Sequence, residues 1–390
     1  MNDDTKEIVA LIKSNIPRNL IQNKCVAQNM RFMKKWVGML TKIHTKKEHN
    51  TVHYQKQSQY HITDRELEYI PKTIYDVLIA HPYYRYSFRF STGSRQIHVH
   101  FHCQDSSERH IKKCFEKVYL WFQFITPFAK AGCSNEITLN LYFTPYKKKF
   151  AKKHVPLDQI NMNTAFTTSC RPSTSIYIYR EEEWFKVLMH ESFHNLGLDF
   201  SSMDERYSNA KMQLIFPITS RNGIRVYESY CETWATFFNC LITSFLSTQN
   251  KDNISFILEK TVRMLDIECK FAILQCTRVL NHYGLTYREL LSSSKQTRSI
   301  GTKFVEHSHA LSYYIIKAII ICHFDDFFTW CRLHNKNILN FNKTYENVDE
   351  YIAFIEYLSK HPSFLEKMDY VQEHVSNLLS DDTLRMTIYG

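Results

Sequence analysis

The chain has 390 residues and a formal net charge of +10 at pH 7, with 44% hydrophobic and 23% charged residues. That balance supports a globular core and excludes a disordered or fibrous chain. It holds only 8 glycines and neither a G-x-G-x-x-G nor a G-x-x-x-x-G-K-[ST] run, so a fold built on a glycine-rich phosphate loop is not expected.

The 11 cysteines are scattered and never spaced C-x-x-C. That pattern argues against a disulfide framework and a zinc ribbon, and points to a reducing compartment. The start, Met1-Asn2-Asp3-Asp4-Thr5-Lys6-Glu7, is acidic where an export signal would be basic and then apolar. The longest apolar run, Tyr313 to Phe324, is broken by Lys317 and is shorter than the roughly 18–20 residues of a membrane span. The expectation is a soluble, intracellular, cytoplasmic protein that is not secreted and has no membrane span.

Residues 1–60 hold 11 Lys/Arg against 4 Asp/Glu, so most of the positive charge sits there. Residues 1–55 are read as a basic helical arm centred on Lys34, Lys35, Lys42, Lys46 and Lys47, able to meet nucleic acid or another anionic partner. The plainer alternative is a solvated helix face, because Met33, Trp36, Val37 and Leu40 recur at helical spacing among the lysines. Residues 84–103 alternate around a Ser-Thr-Gly turn and read as a β-hairpin. Residues 108–128 read as a helix, and strands are expected at 136–142 and 175–179. Beyond Glu181 the pattern is helical, with apolar residues three and four apart in 225–246, 253–282, 304–323 and 349–358. Gly284 reads as a helix stop and Pro362 as an interruption. The expected fold is α+β. A sub-domain at 56–205 holds a small sheet and an active-site helix, and a helical sub-domain at 206–390 packs against it.

One segment carries chemistry: Val187-Leu188-Met189-His190-Glu191-Ser192-Phe193-His194-Asn195-Leu196-Gly197. His190 and His194 are one helical turn apart, so both imidazoles leave the same face and can reach one metal at about 2.0–2.1 Å. Glu191 lies near that face, where it can take a proton from a metal-activated water. A polar triad on an otherwise apolar helix is costly unless something pairs with it.

Zinc needs a third protein ligand. An extended H-E-x-x-H-x-x-G-x-x-H pattern fails here, since Phe200 stands at the ligand position and Asp199 is one residue off. A carboxylate from a later helix is the other route. Glu228 and Glu232 lie one turn apart on a helix whose other faces carry Tyr230, Trp234, Phe237 and Phe238.

His190-Glu191-x-x-His194 with Glu232-Thr233-Trp234-Ala235 resembles the gluzincin zinc metallopeptidases, over about residues 160–245. The resemblance implies one zinc held by His190, His194 and Glu232, with Glu191 as general base and Glu228 as a supporting residue. It implies hydrolysis of a peptide or protein substrate, and a later Tyr or His that stabilises the oxyanion. Tyr313 is the first candidate for that role and Tyr314 the second, with His309 four residues before Tyr313. The chain as a whole is loosely similar to uncharacterised metallopeptidases of large DNA viruses. Two other classes stay open: an inactive metallopeptidase-like interaction module, and a basic nucleic-acid-associated protein. A second metal site would be His98-Val99-His100-Phe101-His102, whose three imidazoles share one strand face; a half-exposed polar face is the alternative.

Overall fold

The computed structural model describes residues 3–17, 26–46, 52–63, 67, 69–104, 107–291, 297–375 and 382–389; Lys47 lies outside them. Two helices, α1 (Asp3–Asn15) and α2 (Ala27–Lys46), precede strand β1 (His53–Tyr60) and helix α3 (Lys72–Ala80). The alternating segment forms β2 (Tyr83–Thr92) and β3 (Arg95–Cys103), and the turn between them uses Gly93 at φ 58°, a conformation open to glycine. Helix α4 (Glu108–Ile125) starts where Ser107 accepts the His110 N–H, at 3.2 Å. Its Phe115 stacks on Phe88 of β2.

Strand β4 (Glu136–Tyr142), helix α5 (Gln159–Met162) and strands β5 (Ala165–Thr167) and β6 (Ser173–Ile178) follow, then helix α6 (Trp184–Asn195) with the H-E-x-x-H residues. The six strands make one sheet in the order β1-β2-β3-β4-β6-β5. β3, β4 and β6 are parallel, while β1, β2 and β5 are antiparallel to their neighbours. β5 is an edge strand, and α6 packs on the sheet beside it.

The second half holds α7 (Glu205–Ile215), β7 (Thr219–Ser220), α8 (Val226–Leu246), α9 (Ile254–His282), α10 (Tyr287–Leu290), α11 (Thr297–Lys303) and β8 (Val305–Glu306). A π-helical turn, Leu311–Ile316, runs into α12 (Lys317–Ile321), followed by α13 (Phe324–His334), α14 (Tyr345–Ser359) and α15 (Pro362–His374). β7 and β8 pair with each other. The architecture is thus mixed, with one six-stranded sheet and a helical second half, as the α+β reading requires. Pro362 marks the break in the last helical region: α14 ends at Ser359, and Pro362 occupies the first turn of α15, where its missing N–H costs nothing. No described helix is long and apolar enough to cross a membrane.

Two expectations are corrected. The N-terminal segment is no separate arm: Ile8, Ile12, Ile16, Met33, Trp36, Val37 and Leu40 are buried in the main core. Trp36 packs 5.9 Å from Trp234 and 5.2 Å from Phe328, ring to ring. The exposed lysines of α2 occupy its outer face, and the same core continues across residues 55 and 206. The cysteines also pair. Cys133–Cys170 and Cys269–Cys322 are disulfide-bonded, which removes the basis for reading a reducing compartment from cysteine usage. The remaining described cysteines are buried and outside these two bridges.

Trp36→Ala should therefore cost about 3–5 kcal/mol, as for other buried Trp truncations. Urea unfolding measures it; a loss below about 1 kcal/mol would mean that α2 is not part of the core.

Candidate metal centre

The helix α6 is buried along its whole length. Trp184, Leu188, Met189 and Phe193 belong to the core, and Trp121 Nε1 of α4 donates to Ser192 Oγ at 3.0 Å. At its end, Gly197 N–H bonds His194 O and Leu198 N–H bonds Phe193 O, with Gly197 at φ 64°. This is a Schellman stop, and only glycine takes the left-handed position without strain. The reversal brings Asp199 back over α6, where its Oδ2 lies 2.7 Å from His194 Nδ1.

Lys186, His190 and His194 recur every fourth residue and form one stripe of α6. Glu228 and Glu232 form a stripe of α8. The two meet antiparallel: Lys186 Nζ pairs with Glu232, His190 sits between Glu232 and Glu228, and His194 faces Glu228. Glu228 Oε2 is 3.0 Å from His190 Nε2 and 3.4 Å from His194 Nε2, and the two Nε2 atoms are 3.1 Å apart. The outer nitrogens have separate carboxylates, Glu232 Oε1 at 2.9 Å from His190 Nδ1 and Asp199 at His194 Nδ1.

The two glutamates are placed differently from the expectation that Glu232 would meet both histidines. The atom that meets both Nε2 nitrogens belongs to Glu228. Glu232 is drawn one turn away, because buried Lys186 needs a carboxylate and takes its second oxygen. Lys186 stands one turn before His190 on the same stripe, but its pairing with Glu232 depends on how α6 and α8 cross.

The set fits a small divalent cation. Ligand bonds of about 2.0–2.1 Å in tetrahedral geometry put donor atoms about 3.3 Å apart, and the three converging atoms lie 3.0–3.4 Å from one another. Glu228 Oε2 is buried and lies against both Nε2 atoms without a well-aligned hydrogen bond to either, a contact that a cation between the three atoms would replace. Asp199 is hydrogen-bonded at the far nitrogen of His194, and Glu232 lies in ion-pair contact with that of His190, so both Nε2 atoms face inward. A second buried trio, His194, Asp199 and Cys231, shares His194.

Burial opposes charge throughout the centre, and the neighbours decide the outcome. Burial raises the Glu228 carboxyl, but His194 and His190 hold it well below the usual range. Burial also raises Glu232, which Lys186 and His190 pull down strongly. Burial lowers His190, yet Glu228 and Glu232 leave it above its ordinary value. His194 is likewise lowered by burial and then raised well above the imidazole range by Cys231, Asp199 and Glu228. For Glu191 burial wins and the carboxyl is raised.

Glu191 lines a cleft with His190, Thr164, Ala165 and Tyr313. No hydrogen bond from the described residues holds its carboxylate. The Tyr313 ring lies 6.0 Å from the His190 ring and 6.0 Å from the His309 ring. Burial, with Glu228 and Glu191 close by, keeps its phenol protonated. Tyr314 is turned away, donating to Leu384 O at 2.6 Å. Burial pushes His309 down to about 4, so it is neutral near pH 7. The edge strand β5 is tied to α6 by Asn195, whose Nδ2 donates to Thr167 Oγ1 and Thr168 O at 3.1 Å.

The strand histidines do not converge. His98 Nε2 lies 3.4 Å from Glu136, His100 Nδ1 is 2.9 Å from Ser87 Oγ, and His102 stacks on Tyr142. Among the described residues, the groups that bring three ligand atoms together lie at the H-E-x-x-H helix.

No protein-family model, curated protein or solved structure matches the chain.

Two outcomes are expected. Glu228→Gln should weaken zinc binding far more than the roughly 10–100-fold expected for Glu232→Gln, measured by chelator competition; the reverse order would return Glu232 to the ligand set. In the sheet, burial lowers His102 far below the imidazole range and His100 to about 4. Such groups add stability above their unfolded pKa of about 6.5 and lose it as the pH falls through the folded value. The urea midpoint should drop between about pH 7 and 4.5, and His102→Phe should flatten the drop.

Proposed function

We propose that the chain is a zinc-dependent hydrolase of peptide bonds, with His190, His194 and Glu228 as the metal ligands. The observation that carries this is the convergence of two Nε2 atoms and a buried carboxylate oxygen beside a second buried glutamate. The ligand chemistry, two imidazoles and one carboxylate, suits zinc and resembles the gluzincin scheme. A zinc ion held there would supply Lewis acidity, polarising a carbonyl and lowering the pKa of a water.

The chain's own residues then have distinct tasks. Glu191, raised by burial, accepts the proton from water and returns it to the leaving amine. Tyr313, kept protonated, donates its O–H to the developing oxyanion. The outer edge of β5 offers backbone N–H and C=O groups to an extended peptide, and Ala165 of that strand lines the cleft beside Glu191. Burial of α6 and α8 on both sides excludes water from the back of the centre.

Glu191→Gln should keep about one zinc per chain and lower hydrolysis of a mixed peptide library by about 10²–10⁴-fold. Tyr313→Phe should lower turnover with zinc affinity unchanged. Peptide cleavage by the Glu191→Gln chain at the wild-type rate would sink the reading.

A further inference from the structure

The segment Thr383–Tyr389 lies in the interior, with several of its backbone groups bonded to side chains from distant helices. Leu384 O accepts from Tyr314 Oη, Arg385 O from Gln275 Nε2 at 2.7 Å, Met386 O from Lys317 Nζ, and Tyr389 O from Asn239 Nδ2 at 2.6 Å. Two buried carboxylates take its N–H groups. Glu183 Oε1 accepts from Met386 N at 2.7 Å and Thr387 N at 2.5 Å, and Glu268 Oε1 accepts from Ile388 N at 3.0 Å and Tyr389 N at 3.2 Å.

Glu183 links this segment to the centre. It is the residue before α6, held at φ 61° in the left-handed region, a strained place for a side-chain-bearing residue. Its other oxygen pairs with buried Lys148 at 2.8 Å. Three residues on, Lys186 contacts Met386 Sδ at 3.9 Å and pairs with Glu232, which faces His190 Nδ1. Met386 itself lines the cleft with His190, Glu191 and Tyr313.

We infer that Thr383–Tyr389 is a positioning element of the metal centre: its N–H groups hold Glu183 and the start of α6, and Met386 holds Lys186 against Glu232 and so orients His190. None of these residues touches a reacting atom. The inference rests on the proposed metal site. It adds that this site is completed by a segment about 200 residues away from it in sequence.

Coupling between two sites is reciprocal, so a segment that steadies the centre must itself be steadied by the cation. The test is amide hydrogen exchange on the full wild-type chain, with and without one equivalent of Co²⁺. Exchange at Met386 and Thr387 should slow on loading by at least about fivefold, while amides of α15, which have no part in this chain of contacts, should change little. Met386→Ala gives a second readout: cobalt affinity should fall by about 10–100-fold and the visible bands of the cobalt complex should change. A merely structural loss would lower the unfolding temperature and leave those bands in place. Unchanged exchange at Met386 and Thr387, or a wild-type cobalt spectrum and affinity in Met386→Ala, would overturn the inference while leaving the metal site standing. A wild-type chain that takes up no cobalt would refute the metal site and this inference together.

Discussion

The packing of two polar stripes, Lys186–His190–His194 on α6 against Glu232–Glu228 on α8, is the constraint around which the centre is organised. Isolated charges at these buried positions would cost several kcal/mol each, so they must be paired. The antiparallel crossing pairs them one turn at a time, and Lys186 neutralises one end. At the other end Glu228 faces two imidazoles that already give their outer nitrogens to carboxylates. As it stands, imidazoles held above their ordinary pKa by these carboxylates balance the charge there, and a divalent cation would take the place of their protons.

The surrounding structure works to keep this crossing in place. Gly197 ends α6 and returns Asp199 to His194. The Cys133–Cys170 disulfide lies against that same turn: a Cβ on Gly197 would come within 3.3 Å of both sulfurs. Asn195 fastens β5 to the helix end, so the free strand edge and the cleft are set by the same few residues. From the opposite side, the π-helical turn splits two adjacent tyrosines, Tyr313 into the cleft and Tyr314 onto the interior segment. Such local widening of a helix re-aims side chains where function needs it.

Much of this frame was legible in the sequence. The hairpin, α4, α8 and α9 follow from apolar periodicity, and the one-turn spacing of His190 and His194 identifies the stripe. The third member was not legible from spacing, because Glu228 and Glu232 share a face and either could meet the histidines. Lys186 decides between them, and only the crossing of two helices reveals it. In α2 the helical spacing of Met33, Trp36, Val37 and Leu40 marked a packed side among exposed lysines, while the depth at which that side joins the main core was not legible. Trp36 marks the inner face of that helix. β1 carries polar residues on both faces and β5 is three residues long, so neither alternates enough to be seen. The interior segment has no pattern at all, since its backbone is bonded by side chains far away in sequence. The disulfides join cysteines 37 and 53 residues apart, with no local spacing to announce them.

The central claim is that His190, His194 and Glu228 surround one cation. X-ray absorption at the zinc edge of the loaded, full-length chain tests it most directly. The account predicts a four-coordinate, all nitrogen–oxygen sphere at about 2.0–2.1 Å with two imidazoles. A sulfur neighbour at about 2.3 Å would place the ion instead at His194, Asp199 and Cys231, and failure to retain any stoichiometric zinc would contradict the account outright.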